Sequence, residues 1–341
     1  MNIKEHRAAR VNSENRSAEI LKEIDAPDRL GRVLGKRGDW MLDLGQLLTE
    51  TRNPDTLDID VLPTDGILLE ISNEDLKVAG AVRQVLTKIS SAVDRIVDAL
   101  TDGGRLIYLG AGSSGRLGIL DASECSPTYG TPPDMVQGLI AGGAGAVFKA
   151  VEGAEDSQEL AKEDLESMDL KSCDIVVGIA ASGRTPYVIG GLLYAKTLQS
   201  MSIALTCTPN SEMERIADHS IVVLVGPEAI MGSTRMKAGT AQKMVLNMLS
   251  TATMIRIGKV YSNLMVDLKV TNKKLDERAK RIVCLATGVA REEAEHTLTL
   301  SNGSVKIAIT QLLAGVTNEE AVRLLQSANG FVSQAVALSK T

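Results

Sequence analysis

The sequence predicts an α/β fold in which a doubly wound parallel sheet is flanked by helices and followed by a small C-terminal helical domain. Short apolar or β-branched runs alternate with helical stretches from residue 106 to about residue 257. Repeated strand, helix and strand units of this kind form a parallel sheet that helices cover on both faces. Past about residue 270 the strand patterns stop. The same change of pattern predicts the separate helical domain.

Five runs have the length and composition of buried strands. They are residues 106–109, 135–140, 174–180, 202–207 and 221–225. Helical stretches are predicted at residues 115–123, 144–165, 186–198, 211–217 and 237–257. Before the first strand, Ser72-Asn73-Glu74-Asp75 forms a capping box, and apolar residues with helical spacing continue from it to residue 100. An amphipathic helix is therefore predicted to precede the sheet.

Changes of composition divide the chain into three parts. Residues 1–45 form a charged N-terminal extension that we expect to be loosely attached. Residues 46–268 hold the first helix and the sheet domain, and residues 269–341 form the C-terminal helical domain. The helices predicted in that last part are residues 275–287, 291–300, 305–313, 319–327 and 331–338.

Composition excludes several classes of function. The chain has 341 residues, of which 44% are hydrophobic, and its formal net charge of −6 argues against a nucleic-acid or membrane-surface partner. No apolar run approaches the roughly 20 residues of a membrane span. Residues 1–16 are charged and lack the apolar stretch of a secretory signal. A cytoplasmic protein is predicted.

The cysteines and histidines are scattered, so neither a zinc site nor a disulfide framework is predicted. The chain also lacks the G-x-S-x-G turn that would carry a nucleophilic serine. If the protein is an enzyme, carboxylates, lysines or tyrosines must move its protons, and no metal is expected. The scattered residues are Cys125, Cys173, Cys207, Cys284, His6, His219 and His296.

Two glycine-rich loops resemble nucleotide-binding motifs incompletely. Residues 110–115, the first loop, match G-x-G-x-x-G, but the next strand ends in Ala-Gly-Gly without the acid that would hold a ribose hydroxyl. Residues 178–185, the second loop, match a P-loop except that Arg184 replaces its lysine. Neither a nicotinamide enzyme nor a nucleotide triphosphatase is favoured.

What these loops share with a third loop, residues 232–237, points to a phosphate group. Each loop places serine or threonine among glycines, adds an arginine and opens a helix. Hydroxyls, free backbone N–H groups and a helix N-terminus together bind phosphate. Since all three are expected at the carboxyl ends of the strands, the sequence predicts a phosphomonoester site there.

Longer strings in the chain make a resemblance to known families specific. Residues 179–185, Ile-Ala-Ala-Ser-Gly-Arg-Thr, resemble the sugar-isomerase (SIS) domain, a doubly wound fold that binds phosphosugars. The chain is more narrowly similar to the N-acetylmuramic acid 6-phosphate etherase family over about residues 48–337. The strings that carry this similarity are residues 49–54, 120–125, 151–156 and 235–240. Two features depart from the family: the N-terminal extension and Ser126, where a proline is usual.

The resemblance implies a reaction. The family cleaves the lactyl ether at C3 of the sugar, giving N-acetylglucosamine 6-phosphate and D-lactate, without a metal or redox cofactor. A base removes the C2 proton of the opened sugar, an acid protonates the departing oxygen, and water then adds. The catalytic glutamates of the family correspond to Glu124, the expected proton donor, and Glu155. Position alone does not select Glu155, because Glu152 or Asp156 suits its place equally well.

The remaining expectations concern substrate binding and assembly. We expect a phosphorylated amino sugar as the substrate and a homodimer as the assembly, because SIS domains resemble pairing modules. The C-terminal helices resemble a small ubiquitin-associated fold. The residues expected to anchor the 6-phosphate are Ser113, Ser114, Ser182, Thr185 and Ser233, with Lys237 adding charge.

Two other functions remain open from the sequence. The same domain can serve a non-catalytic phosphosugar sensor, with the C-terminal helices docking a partner protein. It can also serve an aldose–ketose phosphate isomerase, which shares the abstraction of the C2 proton but breaks no ether. The two glutamates in their family strings favour the etherase.

Overall fold

The computed structural model describes residues 48–149, 151–270 and 272–340. The predicted N-terminal extension, residues 1–45, lies outside these ranges. Among the described residues, no helix has both the length and the apolar character needed to cross a membrane.

Five parallel strands form the central sheet, in the order β2-β1-β3-β4-β5. Gly110 at the end of β1 pairs with Ile140 of β2 and with Ile179 of β3, so these strands end at the same level. We call this the carboxyl edge of the sheet and the opposite one the amino edge. The strands are β1 Leu106–Gly110, β2 Val136–Ile140, β3 Ile175–Ile179, β4 Met201–Thr206 and β5 His219–Val222.

Helices cover both faces of this sheet, which confirms the predicted doubly wound fold. Successive strand side chains point to opposite faces, so Leu106 and Tyr108 join one hydrophobic core while Ile107 and Leu109 join the other. On the first face lie α1 Thr64–Gln84, α2 Leu86–Thr101, α3 Gly112–Tyr129 and α7 Lys237–Arg256. On the second face lie α4 Gln158–Ser167, α5 Pro186–Thr197 and α6 Glu212–Ile216.

Two predicted helices differ from those observed. The capping-box start at Ser72 is wrong, because α1 begins at Thr64 and runs through Ser72 to Gln84. Its first half leaves Leu68 and Leu69 exposed, so the apolar spacing typical of a helix packed on a core is absent there. The helix predicted over residues 144–165 is wrong in its first part, because the structure is helical there only from Gln158 onward.

A loop replaces the first part of the helix predicted over residues 144–165. Among the described residues from 144 to 157, the regular structure is limited to the short 3₁₀ turns Ala144–Val147 and Ala154–Asp156, and α4 begins at Gln158. Gly153 has a φ of +75°, which ends any regular helix, and the Ser157 side chain accepts a hydrogen bond from the Leu160 N–H to start α4.

The C-terminal part contains a short hairpin and five helices around a hydrophobic core of their own. The hairpin strands are β6 Val260–Tyr261 and β7 Leu264–Met265. The helices are α8 Lys273–Thr287, α9 Arg291–Leu300, α10 Val305–Ala314, α11 Asn318–Ser327 and α12 Val332–Leu338. Val266 and Leu268 also belong to this core. The division between residues 268 and 269 stays a prediction.

Candidate functional site

The order of the strands places a topological switch point between β1 and β3 at the carboxyl edge of the sheet. From β1 the chain turns to α3 on the first face, and from β3 it turns to α5 on the second face. Because these neighbouring connections diverge, the first and second loops line the gap between them, which is where doubly wound folds bind ligands.

The second loop is held firmly by the end of β4. The Cys207 N–H and the Thr208 hydroxyl both donate to the Ala181 carbonyl, at 3.0 and 3.1 Å. Ser182 Oγ accepts a hydrogen bond from the Arg184 N–H at 3.4 Å. Thr185 precedes α5 but its side chain makes no capping hydrogen bond. The loop thus presents two hydroxyls, Ser182 and Thr185, from a fixed backbone.

Gly183 gives this loop its shape. Its φ is +64°, and a Cβ added to it would lie 2.4 Å from the Ser211 Oγ and 2.8 Å from the Thr206 Oγ1. Its carbonyl accepts the Met213 N–H at 3.1 Å. Only glycine meets both the left-handed backbone and the close approach.

We therefore expect Gly183→Ala to lower the free energy of unfolding by about 1–3 kcal/mol from backbone strain alone. The loop should also shift, so that inorganic phosphate binds more weakly if this loop holds the predicted phosphate site. Urea unfolding and calorimetric binding of inorganic phosphate measure the two effects. Gly80→Ala is the matched control, because a Cβ at Gly80 meets nothing within 4 Å. A Gly183→Ala protein as stable as the control would contradict this account of the loop.

The first loop opens α3 with an uncapped N-terminus. Ser113 and Ser114 are the second and third residues of the helix, and the N-cap residue Ala111 supplies no side-chain acceptor. The first N–H groups of α3 are therefore available to an anion. Ser113 is exposed, whereas the Ser114 hydroxyl donates to Gln242 Oε1 of α7 at 2.9 Å.

The third loop is braced by the family string at residues 49–54. The Gly232 N–H donates to the Thr49 carbonyl at 3.3 Å, and the Asn53 amide donates to the Pro227 carbonyl at 3.2 Å. The Glu50 carboxylate lies beside Gly232, 3.2 Å from where a Cβ would stand. The string thus supports the segment that holds Ser233.

A glutamate side chain of the protein caps the N-terminus of α7. Glu228, which is buried, accepts the N–H groups of Lys237 and Ala238, each at 2.9 Å. Burial raises the pKa of the Glu228 carboxyl despite these two bonds. Unlike the start of α3, this helix end is closed to a phosphate.

Lys237, predicted to add charge at the phosphate site, is 1% exposed. Its ammonium group forms an ion pair with the buried carboxylate of Glu74 in α1, which also accepts a hydrogen bond from Lys77 at 2.5 Å. Burial opposes ionisation of Glu74, but the bonds from these two lysines hold the pKa of its carboxyl below the ordinary value. The charge of Lys237 is balanced within the protein.

Glu124 lies near the amino edge of the sheet, away from the first and second loops. A Cβ on Gly115 would lie 2.7 Å from Ile140 at the carboxyl edge, and one on Gly138, in mid-strand, would lie 2.8 Å from the Ile119 Cα. The five residues from Ile119 to Glu124 carry α3 about 7 Å further, level with the strand starts.

Glu155 lies near the opposite, carboxyl edge. It belongs to the turn Ala154–Asp156, and Ala154 packs with Val151 against Gly142, just after β2. Both predicted catalytic glutamates, Glu124 and Glu155, are exposed. Within one chain they lie towards different edges of the sheet.

Sequence reasoning missed a buried polar cluster that fixes α3 one turn before Glu124. The Asp121 carboxylate accepts hydrogen bonds from the Tyr108 hydroxyl at 2.9 Å and from the Ser250 hydroxyl at 3.1 Å. Burial raises the pKa of the Asp121 carboxyl. Burial, with the nearby charges of Asp121 and Glu124, raises the pKa of the Cys125 thiol to about 12, so this thiol is unreactive. Asp121 belongs to the family string at residues 120–125, which is the sequence feature that marks it.

Comparisons with family models agree with this architecture. A model described as the glucokinase regulatory protein N-terminal SIS domain matches residues 88–196, and one described as the SIS domain matches residues 148–252. Among solved structures, a phosphoheptose isomerase of Neisseria gonorrhoeae is similar over 55% of this chain and 97% of its own, at 14% identity and a TM-score of 0.43.

The curated relatives cover more of the chain. An N-acetylmuramic acid 6-phosphate etherase of Clostridium botulinum (strain Okra) is 60% identical over 268 residues, which are 79% of this chain and 89% of that protein. The enzyme of the same name from Cronobacter sakazakii is 58% identical over 272 residues, or 80% of this chain and 92% of that protein. At this identity over most of the length of both relatives, the chain belongs to the N-acetylmuramic acid 6-phosphate etherase family.

Proposed function

We propose that the protein cleaves the D-lactyl ether of N-acetylmuramic acid 6-phosphate, giving N-acetylglucosamine 6-phosphate and D-lactate by elimination followed by hydration. The observation that carries this proposal is the identity of about 60% to relatives named as that etherase. The location is predicted from the sequence to be cytoplasmic.

The 6-phosphate binds at the carboxyl edge of the sheet in this proposal. The Ser113, Ser182 and Thr185 hydroxyls and the uncapped start of α3 can all donate to its oxygens. Ser114 and Ser233 complete the serine-lined surface. Binding energy from a phosphate remote from the reacting carbons can be used to position C2 and C3 against the catalytic groups.

The chemistry requires two proton transfers at neighbouring atoms. Opening of the sugar makes the C2 proton acidic, since C2 then lies next to an aldehyde. Glu124 donates a proton to the departing lactate oxygen on C3, which leaves Glu155 to take the proton from C2. Each transfer of this kind contributes about 10²–10⁴ in rate. Water then adds to the unsaturated intermediate.

Because C2 and C3 are bonded to each other, the two carboxylates must approach the same few atoms. Ten residues of helix separate Glu124 from Ser114, which is about 15 Å along α3. One chain therefore does not bring Glu124 to its own phosphate loops. We propose a homodimer in which each site combines Glu155 and the loops of one chain with Glu124 of a second copy.

Exposed apolar side chains near both glutamates support this assembly. Leu120, one helical turn before Glu124, is 49% exposed. Phe148 and Val151, in the segment that leads to Glu155, are 92% and 46% exposed. A contact between the α3 face of one copy and the segment 148–155 of the other would bury these groups and join the two glutamates.

The proposed activity is tested by incubating the protein with N-acetylmuramic acid 6-phosphate and with its unphosphorylated form. We expect equal amounts of D-lactate and N-acetylglucosamine 6-phosphate from the first. We expect kcat/KM to be at least about 10²-fold lower for the second, because the phosphate contacts are lost. Isomerised sugar phosphate without lactate would show an isomerase instead, and binding without turnover would show a sensor.

A further inference from the structure

Gln242 places a polar amide among apolar neighbours where α7 packs on the start of α3. The residue is 1% exposed, and its neighbours along α7, Ala238, Ala241, Val245 and Leu246, are buried and apolar. Its Oε1 accepts the Ser114 hydroxyl at 2.9 Å. Its Nε2 is buried and has no hydrogen-bond partner among the described residues. An unpaired buried donor costs about 1–3 kcal/mol, so packing alone does not account for an amide here.

The direction of this hydrogen bond determines what Ser114 can bind. A serine hydroxyl carries one proton, and Ser114 commits that proton to Gln242. The lone pairs of Ser114 Oγ remain, and they accept hydrogen bonds only. An ionised phosphate offers acceptors only. Ser114 is therefore matched to a donor on the ligand, namely a sugar hydroxyl or the N–H of an acetamido group.

The neighbouring serine differs. Ser113 is exposed and its side chain makes no hydrogen bond to another described residue, so its proton is free to point at a phosphate oxygen. Two adjacent serines of the first loop thus face the ligand with opposite hydrogen-bonding character. Gln242 creates that difference.

We propose that Gln242 is a positioning residue that fixes Ser114 as an acceptor for a hydroxyl or N–H of the sugar, and so assigns Ser114 to sugar recognition and the phosphate to Ser113, Ser182 and Thr185. This proposal rests on the proposed function, since it deepens the account of the same site. It reassigns Ser114, which the sequence placed with the phosphate ligands.

The test compares binding of two ligands to three variants. Inorganic phosphate reports the phosphate contacts alone, whereas N-acetylglucosamine 6-phosphate reports the phosphate and sugar contacts together. For Gln242→Met and Ser114→Ala we expect affinity for the sugar phosphate to fall about 5–10-fold, the loss of one hydrogen bond, and affinity for inorganic phosphate to stay within about 2-fold. For Ser182→Ala we expect both affinities to fall.

A double variant tests whether Gln242 acts through Ser114. Gln242→Met combined with Ser114→Ala should bind the sugar phosphate as Ser114→Ala does, because the two changes remove one shared interaction. 2-Deoxyglucose 6-phosphate, which has no hydrogen-bond donor at C2, identifies the donor. If the acetamido N–H is the partner, the affinity for this sugar phosphate changes little in Ser114→Ala. If a hydroxyl is the partner, that affinity falls as it does for N-acetylglucosamine 6-phosphate.

Gln311→Met is the matched control, because Gln311 in α10 also buries an unpartnered amide atom, away from the loops. It should bind both ligands as the wild type does. Ser114→Ala alters a partly exposed residue and keeps the test valid if Gln242→Met unfolds. A loss of inorganic phosphate affinity in Ser114→Ala equal to that in Ser182→Ala would overturn the proposal, as would additive losses in the double variant. Both affinities are measured by calorimetry, which needs no turnover. Absence of lactate release by the wild type would therefore refute the proposed function without affecting this test.

Discussion

Mixing the Glu124→Ala and Glu155→Ala proteins should restore about a quarter of the wild-type rate of lactate release, although each variant alone should be slower by about 10²–10⁴. The reason is the placement of the two glutamates towards different edges of the sheet within one chain. If each site takes one glutamate from each copy, half of the randomly re-paired dimers are mixed, and each of these has one intact site of two.

The measurement is lactate release after the two proteins are unfolded together and refolded. In a second arm, wild type is mixed with an equal amount of the doubly substituted protein. Shared sites then leave about a quarter of the activity, whereas sites built within one chain leave about a half. Glu163→Ala is the control, because Glu163 is an exposed glutamate of α4 and its loss should leave the rate unchanged. A mixture that stays as slow as its two parents would refute the shared site.

The sheet could be predicted because its strands are buried on both faces. Residues 106–110 and 175–179 are fully buried, so these strands appear in the sequence as short continuous apolar runs. The first half of α1 has no such pattern, since its leucines at 68 and 69 remain exposed. Apolar spacing indicates a helix only where one face of the helix is covered within the same chain.

The loops of the site could be predicted for a similar local reason. Glycine and serine spacing in the first and second loops directly reflects the backbone turn and the helix that follows it. The separation of Glu124 from the first loop could also be predicted, because ten residues of helix after Ser114 amount to about 15 Å. The resemblance to SIS domains predicted a homodimer, but no pattern in the sequence indicates which surface of a second copy would bring this residue back to the loops.

The partner of Lys237 could not be predicted by any local pattern. Glu74 lies 163 residues earlier in the chain, in a different helix. In the sequence, Lys237 is a cation next to a serine-rich loop, which is typical of a phosphate site. In the structure, α1 fills the space beside it. Long-range pairing of this kind depends on how helices pack on the sheet.

Replacing Glu74 by leucine should therefore lower the free energy of unfolding by about 3–5 kcal/mol, because it leaves the ammonium of Lys237 buried and unpaired. Lys237→Met should cost less, since Glu74 keeps its bond to Lys77. The double variant should recover much of the lost free energy of unfolding, because neither Glu74 nor Lys237 then leaves an unpaired buried charge. Urea unfolding at neutral pH measures the stability of all three variants. Glu159→Leu is the control: it breaks an exposed ion pair with Lys162 and should change the urea midpoint of unfolding little.

The pH dependence gives a second measurement of the same pair. The pKa of the Glu74 carboxyl is lowered from its ordinary value of 4.5 in the folded protein, so the ion pair contributes its full stability above about pH 4.5. That contribution is lost as the pH falls through the lowered pKa. The wild type should consequently lose more stability than the double variant between neutral pH and acid. If Glu74→Leu instead left unfolding unchanged but weakened binding of inorganic phosphate, Lys237 would contact the ligand, and the buried ion pair would not be its main role.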